Sequence, residues 1–323
     1  MSGKRPKILV TESSGFSSEA AALLRKHGDL VLADLTRAGL LSEVGEADVL
    51  WIRLRHRIDV EILAAAPRLT MIITPTTGLN HIDLAEAERR GIKILSLQGE
   101  TQFLNDVRAT AEHTIALTLS LLRRVPSAVE DVKKGSWDRD RFKGRELFGK
   151  TIGVIGYGRL GRIVAKYFSA FDTRILVSEP HLDLLSIGSD IAMLGIDELL
   201  QQSDIVTLHV NLSDRTRYFF GKEQFSKMKA SAWFINTARG ELIDETALLD
   251  ALRSGHLAGA ALDVLQNEQY NDMGLHPLVA YAREHENLLI TPHIGGCTVE
   301  SMDKTEVFMA QKLCEAGLQE VGN

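Results

Sequence analysis

Three short stretches carry residue types that move protons and hold anions. They are Arg239 in NTARGELIDE (236–245), Glu268 in ALDVLQNEQY (261–270) and His293 in TPHIGG (291–296). A histidine titrates near working pH and can take or return a proton. An arginine fork suits carboxylates and phosphates. Each stretch lies at or just past an apolar run that reads as a β-strand. Ligands of open parallel sheets bind outside the carboxyl ends of the strands, so the three residues can converge on one crevice.

A second constellation is glycine-rich. TIGVIGYGRLG holds G-x-G-x-x-G at Gly156, Gly158 and Gly161, after an apolar run (151–155) and before a helical pattern. The first glycine permits a tight turn and the second lets backbone approach a pyrophosphate. The third lets helix and strand pack closely. The phosphates would sit on the helix N-terminus, beside Arg159 and Leu160, where free N–H groups favour anions. The next strand, RILVSEP (174–180), ends in Glu179, 23 positions after Gly156. That is close to the roughly 20 expected of the acid that binds the ribose hydroxyls. A carboxylate there repels the additional phosphate of NADP, so NAD is the expected cofactor.

A third feature is RLRHRID (53–59), three arginines and a histidine in a chain of net charge -6. An extended strand would put Arg53, Arg55 and Arg57 on one face. Such a patch is either a solvated strand end or an anion clamp.

The elements that must position these residues follow from periodicity. PKILVTE (6–12), DLVLADL, DVLWIRL, LTMIITP and IKILSLQ read as strands, with a helix at 17–28 capped by Ser17 and ended by Gly28. Strand and helix in alternation imply a parallel sheet with helices on its faces. A long apolar helix follows from about 109, broken or restarted at Pro126. Strands near 151–155, 174–180, 204–210, 231–238, 257–264 and 287–292 then form a second α/β unit. A last helix, about 298–317, comes after the second sheet is finished and can return to the first domain.

The 323 residues suit two domains. The acidic balance argues against nucleic acid as a partner. Cys297 and Cys314 have no zinc-ligand spacing around them, so no metal is expected, and two cysteines in this length suit a reducing compartment. No apolar run reaches membrane-spanning length and no signal peptide is visible, which makes the cytoplasm the expected location.

These motifs together resemble the D-isomer-specific 2-hydroxyacid dehydrogenase family. The resemblance covers nearly the whole chain. It rests on GLNHIDLAEAERRGIKI (78–94), AEHTIALTLSLLRRVP (111–126), ELFGKTIGVIGYGRLGRI (146–163), TARGELIDETAL (237–248), GAALDV (259–264) and LLITPHIGG (288–296). Within the family the chain looks most like the phosphoglycerate dehydrogenase branch. The resemblance implies His293 as the acid/base, Glu268 as the carboxylate that fixes its tautomer, and Arg239 as the residue that binds the substrate carboxylate and polarises the 2-oxo oxygen. It implies cofactor contacts for His209, Thr237 and Asp263, although His209 and Asp263 also suit structural roles. Thr77 and Gly78 match the loop whose N–H groups receive the substrate carboxylate. RLR resembles the R-S-R of the phosphoglycerate branch, which makes Arg53 and Arg55 substrate ligands, and Arg108 matches a further basic position. The chain departs from the family pattern at Leu54, Thr76, Asn211 and Gln269.

The implied architecture is α/β, with two doubly wound parallel-sheet domains and a cleft between them. A flavodoxin-like substrate domain would combine 1–104 with 293–323, and a Rossmann NAD-binding domain would span 105–292. The helix at 111–124 resembles the family's dimer-forming segment, so a homodimer is expected. The sequence ends at 323, so feedback inhibition by serine through a further regulatory domain is not expected. The implied activity is NAD-dependent hydride transfer between a D-2-hydroxy acid and nicotinamide, with 3-phosphoglycerate as a candidate substrate. The alternatives are a glyoxylate/hydroxypyruvate or other 2-oxoacid reductase and, remotely, an NAD-responsive corepressor-like binding module.

Overall fold

The computed structural model describes residues 5–180, 191–269 and 273–315. Its contacts divide the chain into two compact units, Met1–Val107 with Cys297–Asn323, and Arg108–Gly296.

In the first unit, β1 (Lys7–Val10), β2 (Asp29–Leu32), β3 (Val49–Trp51), β4 (Met71–Ile73) and β5 (Lys93–Leu95) form a five-stranded sheet in the order β2-β1-β3-β4-β5. Every pairing is parallel. The central strands β3 and β4 are buried along their whole length, as strands covered on both faces must be. One face packs Leu9, Leu50, Ile72 and Ile62, and the other packs Ile8, Val10 and Trp51. The helix Val299–Glu315 sets Met309, Ala310 and Leu313 into that second cluster. Positions 316 and 317 of the expected final helix lie outside the described residues.

The second unit holds β6 (Thr151–Ile155), β7 (Arg174–Ser178), β8 (Ile191–Met193), β9 (Ile205–Leu208), β10 (Trp233–Asn236), β11 (Gly259–Leu262) and β12 (Leu288–Ile290). They form a parallel sheet in the order β12-β11-β10-β9-β6-β7-β8. The chain winds outward from β6 in one direction and then from β9 in the other. The β6/β9 boundary is therefore the switch point at which such sheets bind ligands. Edge strand β8, with its half-buried residues, has no counterpart among the sequence expectations.

Two expectations change. The long helix runs Ala109–Arg123 and restarts at Val125–Lys133, but the break is Arg124, at φ +53°, with Pro126 already inside the second helix. A left-handed residue ends the hydrogen-bond ladder, and Pro tolerates the first turn of the next helix. The arginines at 53–57 are not in a strand, because β3 ends at Trp51. The backbone there turns instead to donate Arg53 N–H (2.9 Å) and Arg55 N–H (3.3 Å) to the Glu12 carboxylate. A strand ladder has no use for those two donors once its neighbours have ended.

The centre of the second unit's largest core is aromatic. Phe234 on β10 meets Phe220 and Phe225 at centroid distances of 5.1 and 5.2 Å, and all three are buried. Phe234→Ala should lower the unfolding free energy by about 3–5 kcal/mol in chemical denaturation. A loss under about 1 kcal/mol would be too small for a cavity at such a site.

Candidate active site

The glycine loop follows β6. Gly156 has φ +91°, and a Cβ on it would meet the His209 backbone at 2.6 Å. A Cβ on Gly161 would meet Gly156 O at 2.0 Å, so this glycine sets how closely the helix Arg159–Ser169 approaches β6. Gly158 is exposed, and a Cβ on it would have nothing within 4 Å. Two of the glycines are thus required by the chain's own packing, and the third leaves a bare backbone facing open space.

Glu179, just past β7, accepts from Tyr157 N–H at 3.2 Å, which places its carboxylate beside the loop. Arg159 and Leu160 open the helix and are half-buried. Burial holds the Arg159 guanidinium below its usual range, and the like charge of Arg108 adds to this. Cations near the N–H groups of a helix N-terminus suit an anion. His209 follows β9, its Nε2 paired with Thr207 Oγ1 at 3.0 Å. Its Nδ1 is buried without a hydrogen-bond partner among the described residues, and burial pushes the ring down to about 3, so it is neutral at working pH. The bare Gly158, the acid at Glu179, the paired cations and the orphaned Nδ1 fit a dinucleotide.

The proton-transfer candidates come from the ends of β10, β11 and β12. His293 Nδ1 is hydrogen-bonded to Glu268 Oε1, and each side chain is about one-fifth exposed. Glu268 Oε2 also accepts Leu265 N–H at 3.2 Å. His293 sits at φ +53°, a conformation that side chains rarely adopt and that costs on the order of 1–3 kcal/mol. Its N–H is held by Asp263 O at 2.8 Å and Thr291 O at 3.0 Å. Arg239 directs Nη1 onto Ala238 O at 2.6 Å, and burial lowers its pKa against the pull of Glu268 and Glu241. Gly240 has no side chain because a Cβ there would meet the Leu265 carbonyl carbon at 2.1 Å. The Arg239 loop and the Glu268 loop are therefore packed backbone to backbone. Thr237, buried at the end of β10, bonds Thr114 Oγ1 at 2.9 Å.

Asp263 has a structural function here. Its Oδ1 accepts Thr291 Oγ1 (2.6 Å) and Ile294 N–H (2.9 Å), its Oδ2 accepts Gly295 N–H (2.7 Å), and His113 Nε2 lies 3.2 Å from Oδ1. Burial alone would raise this carboxyl, but the bonds from His113, Thr291 and the two amides bring it below its usual range.

In the first unit, Thr77 is exposed and Gly78 half-buried, just after β4. Thr76, where the family favours glycine, closes this turn by donating its hydroxyl to Gly78 O at 2.8 Å. Arg53 is committed elsewhere. Nε and Nη2 bond Glu306 Oε1, Nη1 bonds Ser14 O at 2.9 Å, and Glu306 is 1% exposed. Arg55 pairs with Asp34 at 2.5 Å, both about half exposed.

Several participants were not foreseen: His113, Thr291, Glu306, and a buried pair made by Glu245 and His276. Glu245 Oε1 accepts Gln266 N–H at 2.7 Å and Oε2 lies 3.2 Å from His276 Nε2. Burial pushes the Glu245 carboxyl up to about 7, opposed by the Gln266 N–H and reinforced by Glu241, Glu268 and Asp244. Among the described residues, no group of three or more His, Cys, Asp or Glu side chains is arranged to hold a metal ion, and no helix is long and apolar enough to cross a membrane.

Residues 115–295 match the family model described as D-isomer specific 2-hydroxyacid dehydrogenase, NAD binding domain. A glyoxylate reductase of Thermofilum pendens is 36% identical over 96% of this chain and 91% of that protein. A D-3-phosphoglycerate dehydrogenase of Methanocaldococcus jannaschii is 36% identical over 95% of this chain, but the chain spans only 56% of its length. The crystal structure of an Aquifex aeolicus D-lactate dehydrogenase complexed with NAD and lactic acid matches at a TM-score of 0.81 and 27% identity. The match covers 96% of this chain and 95% of that one.

The His209 ring has a consequence for stability. Unfolded, it takes its proton near the ordinary 6.5; folded, it resists until about 3. Between those values the folded state binds fewer protons, so this contribution to stability falls as pH drops through the window. His209→Gln should remove that part of the slope. Unfolding free energies measured from pH 7 downward should therefore fall more steeply for wild type than for the variant. Parallel curves would show that the ring is not held neutral.

Proposed function

The chain belongs to the D-isomer specific 2-hydroxyacid dehydrogenase family, and from that premise we propose that it interconverts a D-2-hydroxy acid and its 2-oxo acid with NAD. The observation that carries this reading is the His293–Glu268 hydrogen bond at the strand ends, beside a loop that presents a half-buried Arg239. Glu268 accepts at Nδ1, so Nδ1 bears the hydrogen and the neutral ring keeps its lone pair on Nε2. Nε2 is then the atom that takes the 2-hydroxyl proton, or returns it in reduction. Glu268 stabilises the imidazolium that results. Arg239 offers its fork to the substrate carboxylate and to the charge that develops on the 2-oxo oxygen. In the first unit, Thr77 and Gly78 are the candidates for binding a carboxylate through their N–H groups. Bound NAD supplies the hydride acceptor; Gly156, Gly158, Arg159, Leu160, Gly161 and Glu179 would hold it, with His209, Thr237 and Asp263 shaping its surroundings.

Among the substrates, we read an unphosphorylated acid of the glyoxylate or hydroxypyruvate kind in preference to 3-phosphoglycerate. Support comes from Arg53, which the buried Glu306 already engages. Arg55 has only an exposed pair with Asp34, which costs about 1 kcal/mol or less to open. A phosphate dianion is held best by more than one charge-assisted contact. A homodimer through the nucleotide-binding unit is supported by apolar surface on that unit. Val125, Val129 and Val132 are 43–49% exposed along one helix, with Trp137 at 88% and Phe148 at 70%. The helix at 109–123 instead turns Leu117, Leu121 and Leu122 into its own core. A cytoplasmic location is supported by two free thiols.

A panel of phosphorylated and unphosphorylated 2-oxo acids with NADH tests the activity. His293→Ala and Arg239→Ala should each lower kcat/KM by about 100-fold or more while NADH affinity stays within about 2-fold. Tight NADH binding with no turnover of any acid would point to a binding module instead.

Substrate class is checked by Arg55→Ala. Its kcat/KM for glyoxylate and for a phosphorylated acid should change alike, by less than about 5-fold. A loss confined to the phosphorylated acid would restore the anion clamp.

A further inference from the structure

Behind the loop that carries Glu268 lies a second acid–histidine pair with no part in the proton-transfer reading. Glu245 opens the helix Glu245–Arg253, immediately after its cap Asp244. Both of its oxygens are used. Oε1 receives Gln266 N–H at 2.7 Å and Oε2 faces His276 Nε2 at 3.2 Å. His276 Nδ1 accepts Leu278 N–H at 3.3 Å. A neutral ring that accepts at Nδ1 must carry its hydrogen on Nε2, so His276 donates to Glu245. Both side chains are nearly enclosed, at 13% and 6% exposure.

We propose that Glu245 is a positioning residue for the Glu268–His293 pair, holding the 265–268 loop at the distance from which Glu268 reaches the histidine. This rests on the proton-transfer reading given above. Gln266 is clamped twice, by its N–H on Glu245 and by its Nε2 on Ile243 O at 2.7 Å. Ile243 closes the turn that begins at Arg239, since its N–H reaches Gly240 O at 3.2 Å. One residue therefore ties the base's partner to the segment that presents the arginine. The next residue, Asn267, is at φ +52°, so the loop is held in a costly conformation by what surrounds it. A cavity of about 130 Å³ bordered by Glu245, Gln266 and His276 lies beside the clamp. Without the Glu245 carboxylate the loop has room to retreat into it. Misplacing a reacting group by an ångström from a distance costs about 100-fold in rate.

The test compares Glu245→Ala, Glu245→Asp and Glu245→Gln in the full chain. It reads kcat and KM for the acid that wild type reduces fastest, NADH affinity, and the downfield imidazole N–H proton resonance of His293, assigned by its loss in Glu268→Gln. Glu245→Ala should lower kcat about 10- to 100-fold with KM and NADH affinity within about 3-fold, and should broaden or move the resonance. Glu245→Gln keeps the oxygen that receives Gln266 N–H, although its amide NH2 then faces the His276 Nε2–H, and should recover kcat in part, above Glu245→Ala. Glu245→Asp keeps the charge but falls short by a methylene and should not. If Glu245→Ala fails to fold, the Asp and Gln variants still decide. Wild-type behaviour in Asp with loss in Gln would overturn the proposal, as would an unmoved resonance and normal kcat in Glu245→Ala. The resonance needs no turnover. An inert wild type would therefore sink the dehydrogenase reading while leaving the clamp open to measurement.

Discussion

The site depends on one buried carboxylate. Asp263, 1% exposed, follows β11 and gathers the hydroxyl of Thr291, the amides of Ile294 and Gly295 and the ring of His113. An ionised carboxylate in such surroundings survives only if its lone pairs are met by donors, and here the donors are the loop itself. The loop can fold this way because Asp263 gives its amides a destination. The Asp263 carbonyl then receives the His293 N–H and fixes a left-handed histidine. The conformation that aims the ring at Glu268 is thus stabilised by charge-assisted bonds made one and two residues away, each worth about 1.5–3 kcal/mol.

Backbone proximity does the rest. Gly156 against His209, Gly161 against Gly156 and Gly240 against Leu265 are contacts in which any Cβ would collide with main chain. The first two join the strands at the switch point to the nucleotide helix, and the third joins the Arg239 and Glu268 loops. Strand ends in a parallel sheet diverge into loops by default. These glycines keep them near enough for side chains of ordinary length to meet.

Much of this was legible in the sequence because it rests on local periodicity and glycine spacing. The strands of both sheets, the glycine loop, Glu179 and the three proton-transfer candidates each announce themselves within a window of about ten residues. What was missed has partners far away in sequence. Edge strand β8 is half-buried and carries no strong apolar run. Glu245 reads as an acid in a helix's first turn, and only the fold brings Gln266 and His276 to it. His113 sits in an apolar helix, and a polar residue there is a signal of a buried partner, but the partner, Asp263, lies 150 positions on. By its resemblance Asp263 is a cofactor contact, with a structural strand-end acid as the alternative, and its oxygens are engaged by the loop. The three arginines follow β3, and because the strand stops at Trp51 the shared face that an extended strand would give them does not form.

The arginine patch shows why formal charge is a poor guide to function. In RLRHRID the arginines look equivalent, and the net charge around them invites an anion. Arg53 meets a carboxylate with no access to water, where desolvation and pairing together make separation expensive. Arg55 meets one in solvent, where screening makes separation cheap. The difference comes from the C-terminal helix. Glu306 stands in the stripe formed by Met309, Ala310 and Leu313, a position where helical spacing calls for an apolar residue. A carboxylate on an apolar stripe requires a cation, and Arg53 is the cation it finds. That demand is fixed as the first unit folds, and it commits Arg53 to a buried pair while Arg55 keeps an exposed one.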